Sequence, residues 1–305
     1  MATAIPKPDH WLTTGERGTL VGIRAVFFMA TVFGRLPTRL LARGIALWYA
    51  LFDKKAKAAS RQWLAQVEGV EPDSVSWRQV YGHVLRFTQV TIDRLFFLKG
   101  KTSQFDVRRT GPEHLQAAKK AGKGAILLGA HLGSFEAMRS TGKEDELPLN
   151  ILGNFTNAKM INELFAKLNP DLAARVIHIE PGSVNFVFEI RQALERGEFV
   201  AILGDRVGLD DRRVEVTFMG RKTEFPAGPL MIAYLLKAPI LLTFGLYHEP
   251  NIYDVHCEPF SDRLLLPRAD RDAHLQAAAQ RYADRLEFYV RKAPLNWFNF
   301  YDFWP

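Results

Sequence analysis

Hydrophobic and polar positions along the chain fall into two rhythms that alternate from about residue 77 onward. Val80, Val84, Phe87, Val90 and Leu95 recur at helical spacing, so residues Trp77 to about Leu98 are predicted to form a helix, with Ser76 as its N-cap. Phe105–Arg109 alternates like a strand, and Glu113–Ala121 reads as a helix closed by Gly122. The short apolar runs Ala125–Leu128, Leu149–Leu152, Val176–Ile179 and Phe199–Leu203 read as buried strands, separated by helical stretches at Asn157–Leu168 and Ser183–Arg196. Glu215–Phe218, Ile240–Tyr247 and Tyr253–Cys257 add further strands, and Asp270–Lys292 is a long closing helix. Strands alternating with helices of this length imply an α/β fold with a largely parallel or mixed central sheet covered by helices.

The first 70 residues differ. The most apolar window, Thr19–Phe33, is interrupted by Arg24 and followed at once by Arg35, so it is short for a span of about 20 apolar residues. Arg35, Arg39 and Arg43 recur every four residues, and Leu36, Leu40, Leu41, Ile45, Leu47 and Trp48 take the remaining surface. The pattern predicts two amphipathic helices broken near Gly34–Pro37, lying against a bilayer, with a slanted insertion of residues 19–34 or a helix packed on the domain as the other arrangements. The expected division is a membrane-associating arm, residues 1–70, and an α/β domain, residues 71–305.

Charge sharpens that division. The chain carries a net +7, and residues 1–70 hold ten basic against four acidic side chains, leaving the other 235 residues near neutral. A nucleic-acid protein would carry its basic patch on the folded domain with a reading motif, so no nucleic acid is expected. Basic residues interleaved with apolar ones point to an anionic membrane surface, bound peripherally or monotopically. The lone Cys257 excludes an internal disulfide framework and reads as a packed thiol.

The densest chemistry lies in Gly124-Ala-Ile-Leu-Leu-Gly-Ala-His131-Leu-Gly-Ser-Phe-Glu136. A histidine and a glutamate follow a buried strand, the position where α/β proteins place reactive groups. On one helix, five steps of ~100° would set the two side chains about 140° apart, which argues against a shared metal. Across a strand-to-helix turn the carboxylate of Glu136 can fold back to orient His131 as a general base. Ser134 lacks the Gly-x-Ser-x-Gly setting of a nucleophile and is read as a helix cap. Gly204-Asp205-Arg206 ends another apolar strand, which puts a guanidinium at the same rim, with Asp205 positioning it. Gly228 lies in Phe225-Pro-Ala-Gly-Pro-Leu, whose helix start offers N–H groups to an anion.

With the last two segments, the His131 segment resembles the bacterial lysophospholipid acyltransferase superfamily, in its lipid A late acyltransferase (lauroyl/myristoyl transferase) branch, over most of the chain. That resemblance implies a fatty acyl group moved from an acyl thioester, on acyl carrier protein or coenzyme A, to a hydroxyl or amine of a lipid or glycolipid acceptor. It implies His131 and Glu136 as the catalytic pair, Arg206, Asp205, Gly228, Asn154 and Asn157 as substrate-binding residues, and neither cofactor nor metal. It also implies the cytoplasmic face of a bacterial inner membrane. Two departures stand out: Val207 follows Arg206 where the lipid A enzymes carry a second acidic residue, and the aromatic ending Pro294–Pro305 replaces their basic C-terminal motif. That ending is closer to members serving aryl polyene or other specialised lipids. Glycerophospholipid synthesis, or a lipid-binding protein without catalysis, are the other readings.

Overall fold

The computed structural model describes residues 20–144, 147–153, 175–179, 183–208 and 212–304. Asn154, Asn157 and the helix expected at Asn157–Leu168 lie outside them. Seven strands form one sheet in the order β1-β9-β8-β2-β5-β3-β4. They are β1 (Asp106–Thr110), β2 (Ile126–Gly129), β3 (Leu149–Gly153), β4 (Val176–His178), β5 (Phe199–Leu203), β8 (Ile240–His248) and β9 (Ile252–Ser261). Strands β8, β2, β5, β3 and β4 run parallel to one another, and β9 turns back antiparallel to β8.

Both faces of the central strands are covered, so every residue of β2 is buried and the strand reads as an unbroken apolar run rather than an alternation. Ile126, Leu128, Val200 and Ile202 share a core with Leu275, Ala279, Tyr282 and Leu286 of the last helix, Arg271–Lys292. Leu127, Ala201, Leu241 and Cys257 form the opposite core, beneath the helices Pro112–Lys120 and Phe135–Glu144. Burial there pushes the Cys257 thiol up to about 12, with Glu113 and Glu258 adding to the shift, as befits a packed, unreactive thiol. Numbered in chain order, the helices are α1 (Leu20–Val32), α2 (Arg35–Phe52), α3 (Lys54–Glu68), α4 (Trp77–Leu98), α5 (Pro112–Lys120), α6 (Phe135–Glu144), α7 (Asn185–Glu195), α8 (Gly228–Leu236) and α9 (Arg271–Lys292). The Ser76 hydroxyl accepts from the Gln79 N–H, and the Gln79 side chain accepts from the Ser76 N–H, a reciprocal cap that fixes the start of α4.

Two expectations take a more definite form. The run Glu215–Phe218 is a strand as expected, within β6 (Arg213–Phe218), but it pairs antiparallel with β7 (Arg221–Pro226) as a hairpin outside the main sheet. The arginine stripe of α2, whose direction the periodicity leaves open, faces mainly inward. Arg35 Nε and Nη2 grip Asp93 of α4 at 2.7 and 2.8 Å, and Arg39 Nη2 donates to the Tyr247 hydroxyl at 2.5 Å. Asp93 is wholly buried and also accepts from the Tyr253 hydroxyl. A carboxylate taken that far from water requires a close cation, and α2 is rolled to supply it. Ala42, Ala46 and Ala50 continue the inward face. The leucines therefore point out: Leu36, Leu40, Trp48, Leu51 and Phe52 are each at least half exposed. Only Arg43 of the stripe remains on the surface.

The helix α3, absent from the two-helix reading, anchors the arm from its other end. Asp53 caps it by accepting from the Ala56 N–H, and Trp63 is 1% exposed, stacked with Phe218 and Trp304 and edge-on to Trp297. No helix among the described residues is long and apolar enough to cross a membrane.

Candidate active site

Strands β2 and β5 are parallel neighbours, and their last residues, Gly129 and Leu203, are register partners. His131 and Asp205 each lie two positions beyond those partners, so the register brings them face to face. The Gly204 N–H donates to the Gly129 carbonyl at 2.9 Å, carrying the pairing one step past the strand ends. His131 Nδ1 is 2.8 Å from Asp205 Oδ1, and the His131 backbone N–H donates to Asp205 Oδ2 at 3.0 Å.

A turn that only glycine can make follows His131. Gly133 has φ +71°, and a Cβ there would lie 1.9 Å from the Gly245 carbonyl oxygen of β8. The Ser134 N–H donates to that same oxygen, and the Ser134 hydroxyl accepts from the Ala137 N–H, capping α6. Ser134 is thus spent on the cap, as its sequence setting suggested.

Asp205 is 0% exposed and holds three donors: the His131 ring and backbone N–H groups, and the Trp297 indole N–H at 3.1 Å on Oδ2. Burial pushes its pKa up, but the charge and hydrogen bonds of His131 and the nearby Arg206 outweigh this and hold it at about 2. An ionised carboxylate only accepts, so Nδ1 carries the proton and Nε2 the lone pair. Burial lowers the His131 pKa, and Arg206 lowers it further, while Asp205 acts the other way; the imidazole is neutral at pH 7. Its side chain is 30% exposed, and among the described residues nothing bonds Nε2. The arrangement is an oriented base with its lone pair free to take a proton.

Glu136, expected on the imidazole, is elsewhere. It is the second residue of α6, and the helical turn directs it to α4, where its carboxylate is 2.5 Å from Arg94 Nε. The contact expected of Glu136 is made instead by Asp205, the residue expected to position Arg206. Arg206 does reach the rim: Nη2 donates to the Phe298 carbonyl at 2.7 Å and the guanidinium lies over the Tyr301 ring. Gly228 begins α8, two residues past the end of β7, and among the described residues no interaction joins it to His131 or Asp205. Asn154 and Asn157 fall outside the described residues.

Three contributors escaped the sequence reading. The Trp297 indole holds Asp205, the Phe298 N–H donates to the His131 carbonyl at 3.0 Å, and the Tyr282 hydroxyl of α9 donates to the Gly129 carbonyl at 2.7 Å. The aromatic crowding of residues 294–305 was the available signal for the first two. Beneath α6, an apolar cavity opens among Leu127, Phe135, Met138, Leu149, Phe199 and Ala201. No cluster of metal-binding side chains occurs among the described residues.

The phosphatidylinositol mannoside acyltransferase of Mycobacterium tuberculosis is 24% identical over 236 residues, covering 74% of this chain and 71% of its own. The family model for bacterial lipid A biosynthesis acyltransferase matches residues 8–304. The chain whose paired strand ends carry His131 and the buried Asp205 is, by this match over nearly its whole length, a member of the bacterial lipid A biosynthesis acyltransferase family.

Proposed function

We propose that the protein transfers a fatty acyl group from an acyl thioester to a hydroxyl or amine of a lipid or glycolipid at a membrane surface, with His131 as general base and Asp205 as its orienter. The observation that carries this reading is the Asp205-bound imidazole whose Nε2 lone pair is open. The acceptor O–H or N–H gives its proton to Nε2 as the oxygen or nitrogen attacks the thioester carbonyl. The tetrahedral intermediate collapses with cleavage of the C–S bond, and the imidazolium returns the proton to the departing thiolate. Asp205 stabilises the imidazolium between these steps, and the positive charge of Arg206 favours the oxyanion. Acyl carrier protein is the favoured donor, because an acidic carrier complements the basic arm.

The test is direct. Purified protein with radiolabelled acyl-carrier-protein or acyl-CoA thioesters and extracted glycolipid is expected to yield an acylated lipid. A glycerophospholipid acceptor taken in preference would favour the alternative pathway, and no labelled lipid from either donor would sink the reading.

Attachment to the membrane is assigned to the outward apolar face of α1 and α2. Phe28, Val32, Phe33, Leu36, Leu40, Trp48, Leu51 and Phe52 are exposed there, with Arg24, Arg43, Lys54 and Lys55 exposed among or beside them. Apolar side chains inserting below a basic rim suit an anionic bilayer. Since Arg35 and Arg39 are committed inward, the apolar term dominates, at roughly 1.5–3 kcal/mol for each large side chain fully removed from water. The double variant Leu36→Glu/Leu40→Glu is expected to lower partitioning onto anionic vesicles at least ~100-fold with no loss of stability, and high salt to release the wild type only in part. Sedimentation with vesicles decides; unchanged pelleting of the double variant would remove the arm as the anchor.

A further inference from the structure

The last dozen residues do more than cover the core. Consecutive residues of this segment touch each component of the site. The Asn296 carbonyl accepts from the Gly133 N–H, and the Trp297 indole N–H donates to Asp205 Oδ2. The Phe298 N–H donates to the His131 carbonyl, and the Phe298 carbonyl accepts from Arg206. The Asn296 carboxamide in turn bonds both the N–H and the carbonyl of Tyr247 on β8, fixing the segment to the sheet.

The Trp297 carbonyl is held as firmly as its indole. His83 of α4 is wholly buried and places Nε2 3.0 Å from that carbonyl and Nδ1 2.8 Å from the Ser60 hydroxyl of α3. A carbonyl only accepts, so Nε2 carries the proton and Ser60 donates to Nδ1. Burial lowers the His83 pKa to about 4, against the opposing pull of the Trp297 carbonyl, and it stays neutral across the working range. A neutral, fully hydrogen-bonded histidine that far from solvent acts as a strut.

We infer that Trp297 is a positioning residue of the reaction: its indole N–H, set by His83 and Ser60, holds Asp205 Oδ2 so that Oδ1 meets His131 Nδ1 and the base keeps its reactive tautomer. The inference rests on the reading of His131 and Asp205 as base and orienter. Trp297 touches no reacting atom and acts only through Asp205.

The charged and titratable groups facing this pair come from each surrounding element. Arg206 follows β5, Tyr282 lies on α9, Tyr301 lies in the C-terminal segment, and His83 reaches it from α4 through Trp297. Arg206 is the one permanent charge among them, and the two tyrosines are pushed up by burial, so none titrates with the base between pH 5 and 8.

Removing the indole N–H leaves Asp205 with one donor fewer on Oδ2 and more of its charge for the Nδ1 proton. The imidazolium is then favoured, so the acidic limb of the pH–rate profile moves to higher pH. Trp297→Phe is expected to lower kcat ~10–100-fold, with KM for donor and acceptor little changed, and to shift that limb upward. A merely structural tryptophan would reduce the amount of folded enzyme and leave the limb in place. A limb that does not move, in a Trp297→Phe protein with near wild-type kcat, overturns the inference.

Asp205→Asn is run beside it. If Asp205→Asn is severely impaired while Trp297→Phe is not, the base and orienter stand and the positioning role falls. If Asp205→Asn is active, the pair itself is misread and both fall. Trp297 is 0% exposed, so its variant can fail to fold, and a measurement on the wild type covers that case. The Trp297 indole ¹H–¹⁵N resonance is expected to titrate with the same midpoint as His131, because protonating the imidazole draws charge from the shared carboxylate. An indole resonance indifferent to that midpoint overturns the inference without any variant.

Discussion

Asp205→Asn is expected to abolish acyl transfer almost as completely as His131→Ala, whereas Glu136→Gln is expected to leave turnover within about tenfold of wild type. Loss of a general base costs ~10²–10⁴-fold, and the asparagine is costly for a reason visible in the donor count. Oδ2 takes two N–H groups, from the His131 backbone and the Trp297 indole, and Oδ1 takes one, from Nδ1. A buried carboxamide at this position satisfies the two donors with its oxygen and turns its NH₂ toward Nδ1. That NH₂ needs an acceptor, so the imidazole proton moves to Nε2 and the lone pair that takes the acceptor's proton disappears.

The glutamine at 136 perturbs only the Arg94 pair between α4 and α6, which belongs to stability more than to the chemical step. The wild-type pH profile is expected to carry the matching sign. His131 is held below its ordinary value by burial and by Arg206, so the free base is expected to dominate at neutral pH, with the acidic limb below the ordinary histidine range. Steady-state kinetics from pH 5 to 8, with both substrates varied and folding checked by circular dichroism, settle the assignment. An Asp205→Asn enzyme with wild-type turnover, or a Glu136→Gln enzyme as dead as His131→Ala, would return the orienting role to Glu136.

Why the sequence favoured Glu136 is itself a matter of geometry. Four residues lie between it and His131, and nothing in a linear pattern says which way the first turn of a helix will face. Asp205 is 74 residues away, and its approach depends on β5 lying beside β2, although β3 and β4 precede β5 in the chain. Hydrophobic runs locate strands well: Phe199–Leu203 and the helix Trp77–Leu98 coincide with their expected bounds, because burial on both faces, or a reciprocal cap, leaves little freedom at the ends. Strand order is a long-range property and leaves no such trace.

The β6–β7 hairpin shows a different failure. Thr223 and Phe225 are buried in β7, but the Pro226–Pro229 segment beside them reads as a helix start and masked the strand. On α2, the periodicity of Arg35, Arg39 and Arg43 correctly separated two faces, but could not say which one meets the protein. The buried acid that decides this, Asp93, lies 58 residues from Arg35 and looked like an ordinary helix residue.

That buried acid also carries the largest expected effect on stability. Asp93→Ala leaves Arg35, 9% exposed, without its main counter-charge, and removes the acceptor of the Tyr253 hydroxyl. Burial works against the Arg35 charge, and the Asp93 carboxylate overcomes this and holds its pKa above the ordinary value, so the ion persists when the partner is lost. Breaking a buried pair from one side costs about 3–5 kcal/mol, against less than ~0.5 kcal/mol expected for Arg43→Ala on the exposed side of the same helix. The double variant Asp93→Ala/Arg35→Met should recover part of the loss, since it removes the stranded charge along with its partner.

The consequence reaches the site through α4. Its Asp93 fastens the arm, its Arg94 holds Glu136 at the start of α6, and its His83 holds Trp297 against Asp205. Loosening α2 from α4 is therefore expected to weaken vesicle binding and to slow transfer together, with the catalytic residues untouched. Urea denaturation of the three variants measures the first effect, and vesicle-bound turnover measures the second. A stability loss under ~1 kcal/mol for Asp93→Ala would show that the arm is held by its apolar contacts alone, and that the arginine grip only orients it.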